Sequence, residues 1–319
     1  MRNWLLVSLL VLCSWGVRAM PTSLVIASGE IGGVYFQMAG EFCRLVNLQP
    51  QGVSCSVLPT DGSLENLSLL ADGGADMALV QGDMLLAAYR GEGRFAGTAQ
   101  HDLRAIMATH AEPLTLIVRQ DWSGGLAALQ GRAVYLGAPL SGSRATASHL
   151  LALSGLLGQW QEPFPADPQA ALCQGQIDMI ALISGHPSRF VVELARRCPI
   201  RFLPFSADTI TAYVAMHPEY RNSQIPGRLY PNLLAPVSTV ATPAILVARK
   251  EISAKIIQQL LTAFWNNRSQ FNKNVSAYAN LFRYPEHMLK PAQLIPVHPA
   301  AAKTLSTLKY DAVMTLPNN

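Results

Sequence analysis

The stretch Val25-Ile26-Ala27-Ser28-Gly29-Glu30-Ile31-Gly32-Gly33-Val34-Tyr35 runs from a β-rich triplet, through a Gly/Ser turn, into an amphipathic helical segment. About a hundred residues later, Val134-Tyr135-Leu136-Gly137-Ala138-Pro139-Leu140-Ser141-Gly142-Ser143-Arg144 repeats the design. Each is followed by a second matching piece, Gly74-Ala75-Asp76-Met77-Ala78 after the first and Gln176-Ile177-Asp178-Met179-Ile180 after the second. Two α/β halves with equivalent loops imply two lobes whose helix N-termini face one cleft. Unpaired N–H groups and the positive end of the helix dipole suit such a cleft to an anionic ligand.

Strand and helix signals alternate outward from these loops. Leu24 to Ala27, Val53 to Leu58 and Asp76 to Gln81 read as strands, with helical spacing of Val34, Met38, Phe42, Leu45 and Val46 between the first two. Ser63 is placed as the N-cap of a helix carrying Leu64, Leu67 and Leu70, and Asp83 as the N-cap of Met84 to Tyr89. Leu103 to Ala108 and Leu114 to Val118 follow as two strands of the parallel-sheet type. After Asp121 the register restarts: a strand over Val134–Gly137, a helix over Arg144–Leu157, and strands over Asp178–Ile183 and Ile200–Leu203. Leu229–Pro236 is a Pro-rich connector, Val237–Val247 an extended return, and Ser253–Phe264 a last strong helix. This alternation predicts an α/β fold with parallel-type sheets and flanking helices. The chain crosses between lobes twice, which makes a hinge. The expected division is lobe 1 over 20–118 and 242–319, and lobe 2 over 119–241.

The N-terminus reads as an export signal. Arg2 supplies the charge, Leu5 to Trp15 the apolar core, and Val17-Arg18-Ala19 the cleavage site, so residues 1–19 should be removed and the remainder should reside in the periplasm. Lipidation at Cys13 is disfavoured by the bulky Leu12 before it. The net charge of +4 includes Arg2 and Arg18 of the leader, and the other basic residues are scattered, which speaks against nucleic acid as a partner. After the leader, apolar runs reach only a strand's length, as in Ala244–Ala248.

Four cysteines remain: Cys43, Cys55, Cys173 and Cys198. An even number in an exported chain favours disulfides. Three pairings are possible, and sequence alone does not choose; locality favours Cys43–Cys55 and Cys173–Cys198. A zinc site is the alternative, unsupported by any CxxC or HxxxH spacing.

Six motifs in order resemble the TAXI-type solute receptors of TRAP transporters. They are Gly32–Tyr35, Thr60–Asn66, Val80–Asp83, Glu112–Leu114, Leu136–Thr146 and Ser184–Pro187, and the resemblance spans Leu24 to His298. It implies a two-lobed type II periplasmic binding protein fold without catalysis, cofactor or metal. It also implies a monomer that passes a small anionic solute, such as glutamate or a dicarboxylate, to a TRAP-type permease. The four cysteines fall where such receptors often carry them, which supports the local pairing. The chain departs from the pattern at Glu30, where a small residue is usual, at Gly82 in place of serine and at Ser143 in place of threonine.

The residues assigned to the ligand follow from both readings. Gly32, Gly33, Val34 and Tyr35 open the first helix, and Ser141, Gly142 and Ser143 form the matching nest in the other lobe. Thr60, Ser63 and Gln81 can add hydrogen bonds, Arg144 a two-pronged clamp and His186 a neutral imidazole. Each has a plainer alternative: a tight turn, a helix cap, a sheet-end bond, an exposed arginine or a turn-shaping histidine. Asp76 and Asp178 begin strands away from the cleft and read as structural. Two other functions remain in view. An exported ligand sensor would share the fold and pocket. A hydrolase would combine Ser141 or Ser143 with His186 and Asp178, but no Gly-x-Ser-x-Gly elbow is present.

Overall fold

The computed structural model describes residues 22–49, 52–156, 160–275 and 288–314; the expected leader lies outside the described residues. The first half opens with β1 (Thr22–Ala27), α1 (Val34–Asn47), β2 (Val53–Leu58), α2 (Ser63–Asp72), β3 (Met77–Gln81) and α3 (Gly82–Arg90). The long β4 (Leu103–Arg119) leads to β5 (Val134–Tyr135), α4 (Gly142–Leu151), α5 (Pro168–Cys173), β6 (Met179–Ile183), α6 (Arg189–Arg197) and β7 (Ile200–Leu203). Then come α7 (Ala207–Met216), β8 (Arg221–Ile225), β9 (Val237–Arg249), α8 (Ala254–Asn266), α9 (Arg268–Asn274) and a last helix over Pro299–Met314.

The sheet runs β2-β1-β3-β9-β4-β6-β5, with β7 also on β4 and β8 also on β9. Pairing is parallel within β2-β1-β3 and between β5 and β6, and antiparallel wherever β4 or β9 takes part. Here the structure corrects the sequence reading. Leu103–Ala108 and Leu114–Val118 are not two parallel-type strands but the two ends of one strand with antiparallel neighbours. Residues Leu103 to Pro113 pair with β9, and from Leu114 onward β4 pairs with β6 and β7. Pro113 and Pro243 lie at this exchange, where a missing N–H costs least because the ladder is already changing partners. The two long strands thus tie both halves together.

Alternation along the strands builds a core on each face. Leu24, Ile26, Met77, Leu79 and Leu246 pack with Phe42 of α1 and Leu260 and Phe264 of α8. The intervening Ala27, Ala78, Val80, Ile245 and Val247 face Leu67 and Leu70 of α2 and Leu85 of α3. The second half repeats this. Leu116, Met179 and Ala181 pack on α4 and α7, while Ile117 and Ile180 pack on α5 and α6.

The internal repeat is also visible in hydrogen bonds. Asp76 accepts from the Val25 N–H at 2.8 Å while its own N–H donates to the Val25 carbonyl. Asp178 does the same with Ala133, its side chain at 3.3 Å. Each aspartate closes the N-terminal end of a strand pair. Disulfides join Cys43 of α1 to Cys55 of β2, and Cys173 of α5 to Cys198 after α6.

Three local expectations change. Ser63 is the first residue of α2 rather than its cap, which is Gly62 at φ 120°, and its hydroxyl accepts from the Gln81 N–H at 2.9 Å. Asp83 sits inside the first turn of α3, capped instead by Gln81. The helix expected to reach Leu157 is α-helical only to Leu151. A π-helical turn, Ala152–Leu156, follows, with Gly155 at φ 90° in the left-handed region that glycine enters freely.

Candidate functional site

A cavity of about 400 Å³ opens where the loops after β1, β2 and β5 converge. One wall holds Gly33, Val34 and Tyr35 of the first loop and helix, with Ser63 and Gln81; the other holds Ser141, Gly142 and Ser143. The N-cap of α1 is Gly33, which has no side chain to satisfy the first-turn N–H groups. At α4 the N-cap is Ser141, whose hydroxyl accepts from the Arg144 N–H at 3.3 Å and donates to the Ala138 carbonyl at 2.8 Å. Two helix N-termini therefore border one cavity.

The walls close tightly on each other. A Cβ on Gly142 would lie 2.4 Å from Gln81 Oε1, so a larger residue there must displace the end of that side chain. The Leu64 N–H donates to the Leu140 carbonyl at 3.3 Å across the same gap. Behind it lies a buried polar cluster that joins the halves. Asp83 accepts from the Tyr220 hydroxyl at 2.6 Å, Thr146 Oγ1 at 3.0 Å, Gln81 Nε2 at 2.6 Å and the Met84 N–H at 2.7 Å. Burial raises the Asp83 carboxyl despite these donors, and burial together with Asp83 raises the Tyr220 phenol well above its usual range.

Of the remaining residues assigned from sequence, the cavity wall does not include Gly32, Thr60, Arg144 or His186. Gly32 takes φ 88° in the turn and offers its carbonyl to Gln37 Nε2. Thr60 is buried; its hydroxyl donates to Asn66 Oδ1 at 2.7 Å and accepts from the Gly62 N–H at 3.2 Å. Arg144 turns to an ion pair with Glu162 and lies 4.9 Å over the Phe164 ring. His186 has its ring nitrogens 2.9 Å from Thr115 Oγ1 and 2.5 Å from the Tyr230 hydroxyl. Burial, with His110 nearby, lowers His186 to about 4, so it is neutral. Ser143 Oγ accepts from the Ile183 N–H at 2.9 Å. Neither ring nitrogen of His186 is thus directed at a serine, and the hydrolase arrangement does not assemble. Among the described residues no group of three or more His, Cys, Asp or Glu is placed to hold a metal ion.

The wall also carries residues not assigned to the ligand from sequence: Glu30, Asp61, Glu112 and Tyr135, with Pro165 and Phe190. Glu30, Asp61 and Glu112 lie within or beside the motifs, and their charge was the available signal. Tyr135 is the last residue of β5, and its direction depends on a register that local sequence does not give. Glu112 is buried and accepts from the Tyr35 hydroxyl at 2.7 Å; burial and this carboxylate hold the Tyr35 phenol well above its usual range. Burial pushes the Tyr135 phenol up to about 12, helped by Glu30 and Asp61.

The fold is shared with solved binding proteins. The ligand-binding component of an ABC-type import system from Staphylococcus aureus, solved with zinc bound, aligns at TM-score 0.50 and 12% identity, covering 93% of this chain and 94% of that one. The periplasmic aliphatic sulphonate binding protein SsuA from Escherichia coli aligns at TM-score 0.50 and 19% identity, also covering 93% and 94%. At these identities the likeness establishes the two-lobed binding-protein fold. The NMT1-like family model matches residues 26–306, nearly the whole described length, and the chain belongs to the NMT1-like family.

Proposed function

We propose that this chain is an exported solute receptor that closes on a small carboxylate-bearing solute, of the glutamate or dicarboxylate class, and delivers it to a membrane permease. The observation that carries this reading is that the α1 and α4 N-termini border one cavity. A carboxylate there meets backbone N–H groups and two positive dipole ends at once. Its volume, about 400 Å³, lies in the usual range for small-molecule sites. Membership of a family with the binding-protein fold supports a receptor, and the ordered motifs resembling TAXI-type receptors favour a TRAP-type permease as the partner.

The direct test is thermal stability of the purified mature protein against small mono- and dicarboxylates. A solute at a hundred times its dissociation constant should stabilise the fold by about 2.7 kcal/mol, read as a rise of several degrees. A selective rise that disappears on replacing Gly142 by leucine supports the paired-loop pocket. A rise that survives this replacement places the solute elsewhere. Co-purification of the receptor with a co-expressed permease tests the delivery step.

A further inference from the structure

The charged groups on the cavity wall all have one sign. Glu30, Asp61 and Glu112 line it, and among the described residues no lysine, arginine or histidine does. Glu30 and Asp61 come from different loops, after β1 and after β2, and they repel: burial first, then Asp61, raises the Glu30 carboxyl. Tyr135 feels both carboxylates and, in the opposite sense, Arg144. Glu112 is only 3% exposed, with one oxygen engaged by the Tyr35 hydroxyl. Its other oxygen lies 3.4 Å from His110 Nε2. A buried carboxylate is stabilised further when a positive group is brought against it. Arg144 does not supply that charge, being held by Glu162 and Phe164.

We propose that the solute carries a cationic nitrogen as well as its carboxylate, and that Glu30, Asp61 and Glu112 select it. The proposal rests on the receptor reading above and narrows its ligand class. The carboxylate takes the helix N-termini, the nitrogen takes the acids, and Tyr135 adds an aromatic group favourable to a cation. A nitrogen-free dicarboxylate would instead bring a second anion against three acids, and like charges repel.

The test uses matched pairs of probes with the mature protein: glutamate against glutarate, alanine against propionate, and lysine against hexanoate. Thermal shift at about 10 mM screens them and calorimetry gives affinities. The expected result is that at least one amine-bearing acid binds far more tightly than its nitrogen-free partner. Glu30→Gln and Asp61→Asn should each weaken that binding by roughly tenfold to a hundredfold. Asp61 is exposed, so its substitution leaves the fold intact. A nitrogen-free acid that binds as tightly as its amine partner overturns the proposal but leaves the receptor reading standing. So does an amine-bearing acid whose affinity is unchanged in both variants. No binding by either member of any pair overturns both.

Discussion

At the residue scale the cavity depends on positions where one atom more or one charge less changes the outcome. Gly142 is the clearest case, since a Cβ there meets Gln81 Oε1 at 2.4 Å while the residue keeps an ordinary helical start. Gly142→Leu should therefore weaken solute binding by tenfold or more, about 1.4 kcal/mol, with an unchanged far-ultraviolet dichroism spectrum. Calorimetric affinity equal to wild type would show that α4 does not need this contact. His186 gives a second test, in pH. Its folded value, about 4, lies below the ordinary 6.5, so its contribution to stability is fully present above about 6.5 and is lost as pH falls through 4. The difference corresponds to roughly 3 kcal/mol. His186→Gln keeps hydrogen-bonding capacity toward Thr115 and Tyr230, so denaturation at pH 7 and pH 4.5 should show a smaller loss than wild type. Equal losses would mean that His186 does not carry the acid sensitivity. The sequence showed which loops border the cavity but not which of their side chains face it. Arg144 stands inside a binding-type loop and still points to Glu162, because the partner that captures it lies beyond a break in local pattern.

At the element scale, what could be read was whatever local periodicity encodes. Val53–Leu58 alternates in polarity and is the observed β2, and the apolar spacing from Val34 to Val46 is the observed α1. The long β4 could not be read, because Thr109, His110 and Glu112 interrupt its apolar character; they are nonetheless buried, bonded across strands or to Tyr35. Antiparallel pairing with a strand more than a hundred residues away leaves no local trace. The disulfides also belong to this scale, each tying a helix to its neighbouring element over a short loop. With separations of 12 and 25 residues, they should contribute about 3 kcal/mol each by restricting the unfolded chain. Cys43→Ala with Cys55→Ala should lower the melting temperature by several degrees, as should Cys173→Ala with Cys198→Ala. Melting of the paired variants at the wild-type temperature under oxidising conditions would show that the bridges contribute little.

At the scale of the whole molecule, the two halves are joined by β4 and β9 and by the polar cluster behind the cavity. Both halves supply that cluster: Gln81 and Asp83 come from the first, Thr146 and Tyr220 from the second. Gln81 belongs to both features, lining the cavity and donating into the cluster, so the cavity and the contact between halves share one side chain. Opening the cleft would expose Asp83 to water, which favours its charged form, whereas closing it depends on every donor that now surrounds the carboxylate. Removing the Tyr220 hydroxyl takes away one short donor and leaves a buried carboxyl less well satisfied, a loss of about 1–3 kcal/mol for the closed arrangement. Tyr220→Phe should therefore shift the ligand-free population toward open forms and raise the apparent dissociation constant by about the same factor as the closed fraction falls. Small-angle scattering of the ligand-free variant should give a larger radius of gyration than wild type, and saturation with solute should return it to the wild-type value. A variant with wild-type dimensions and wild-type affinity would show that the cluster is internal packing and not the latch of a hinge.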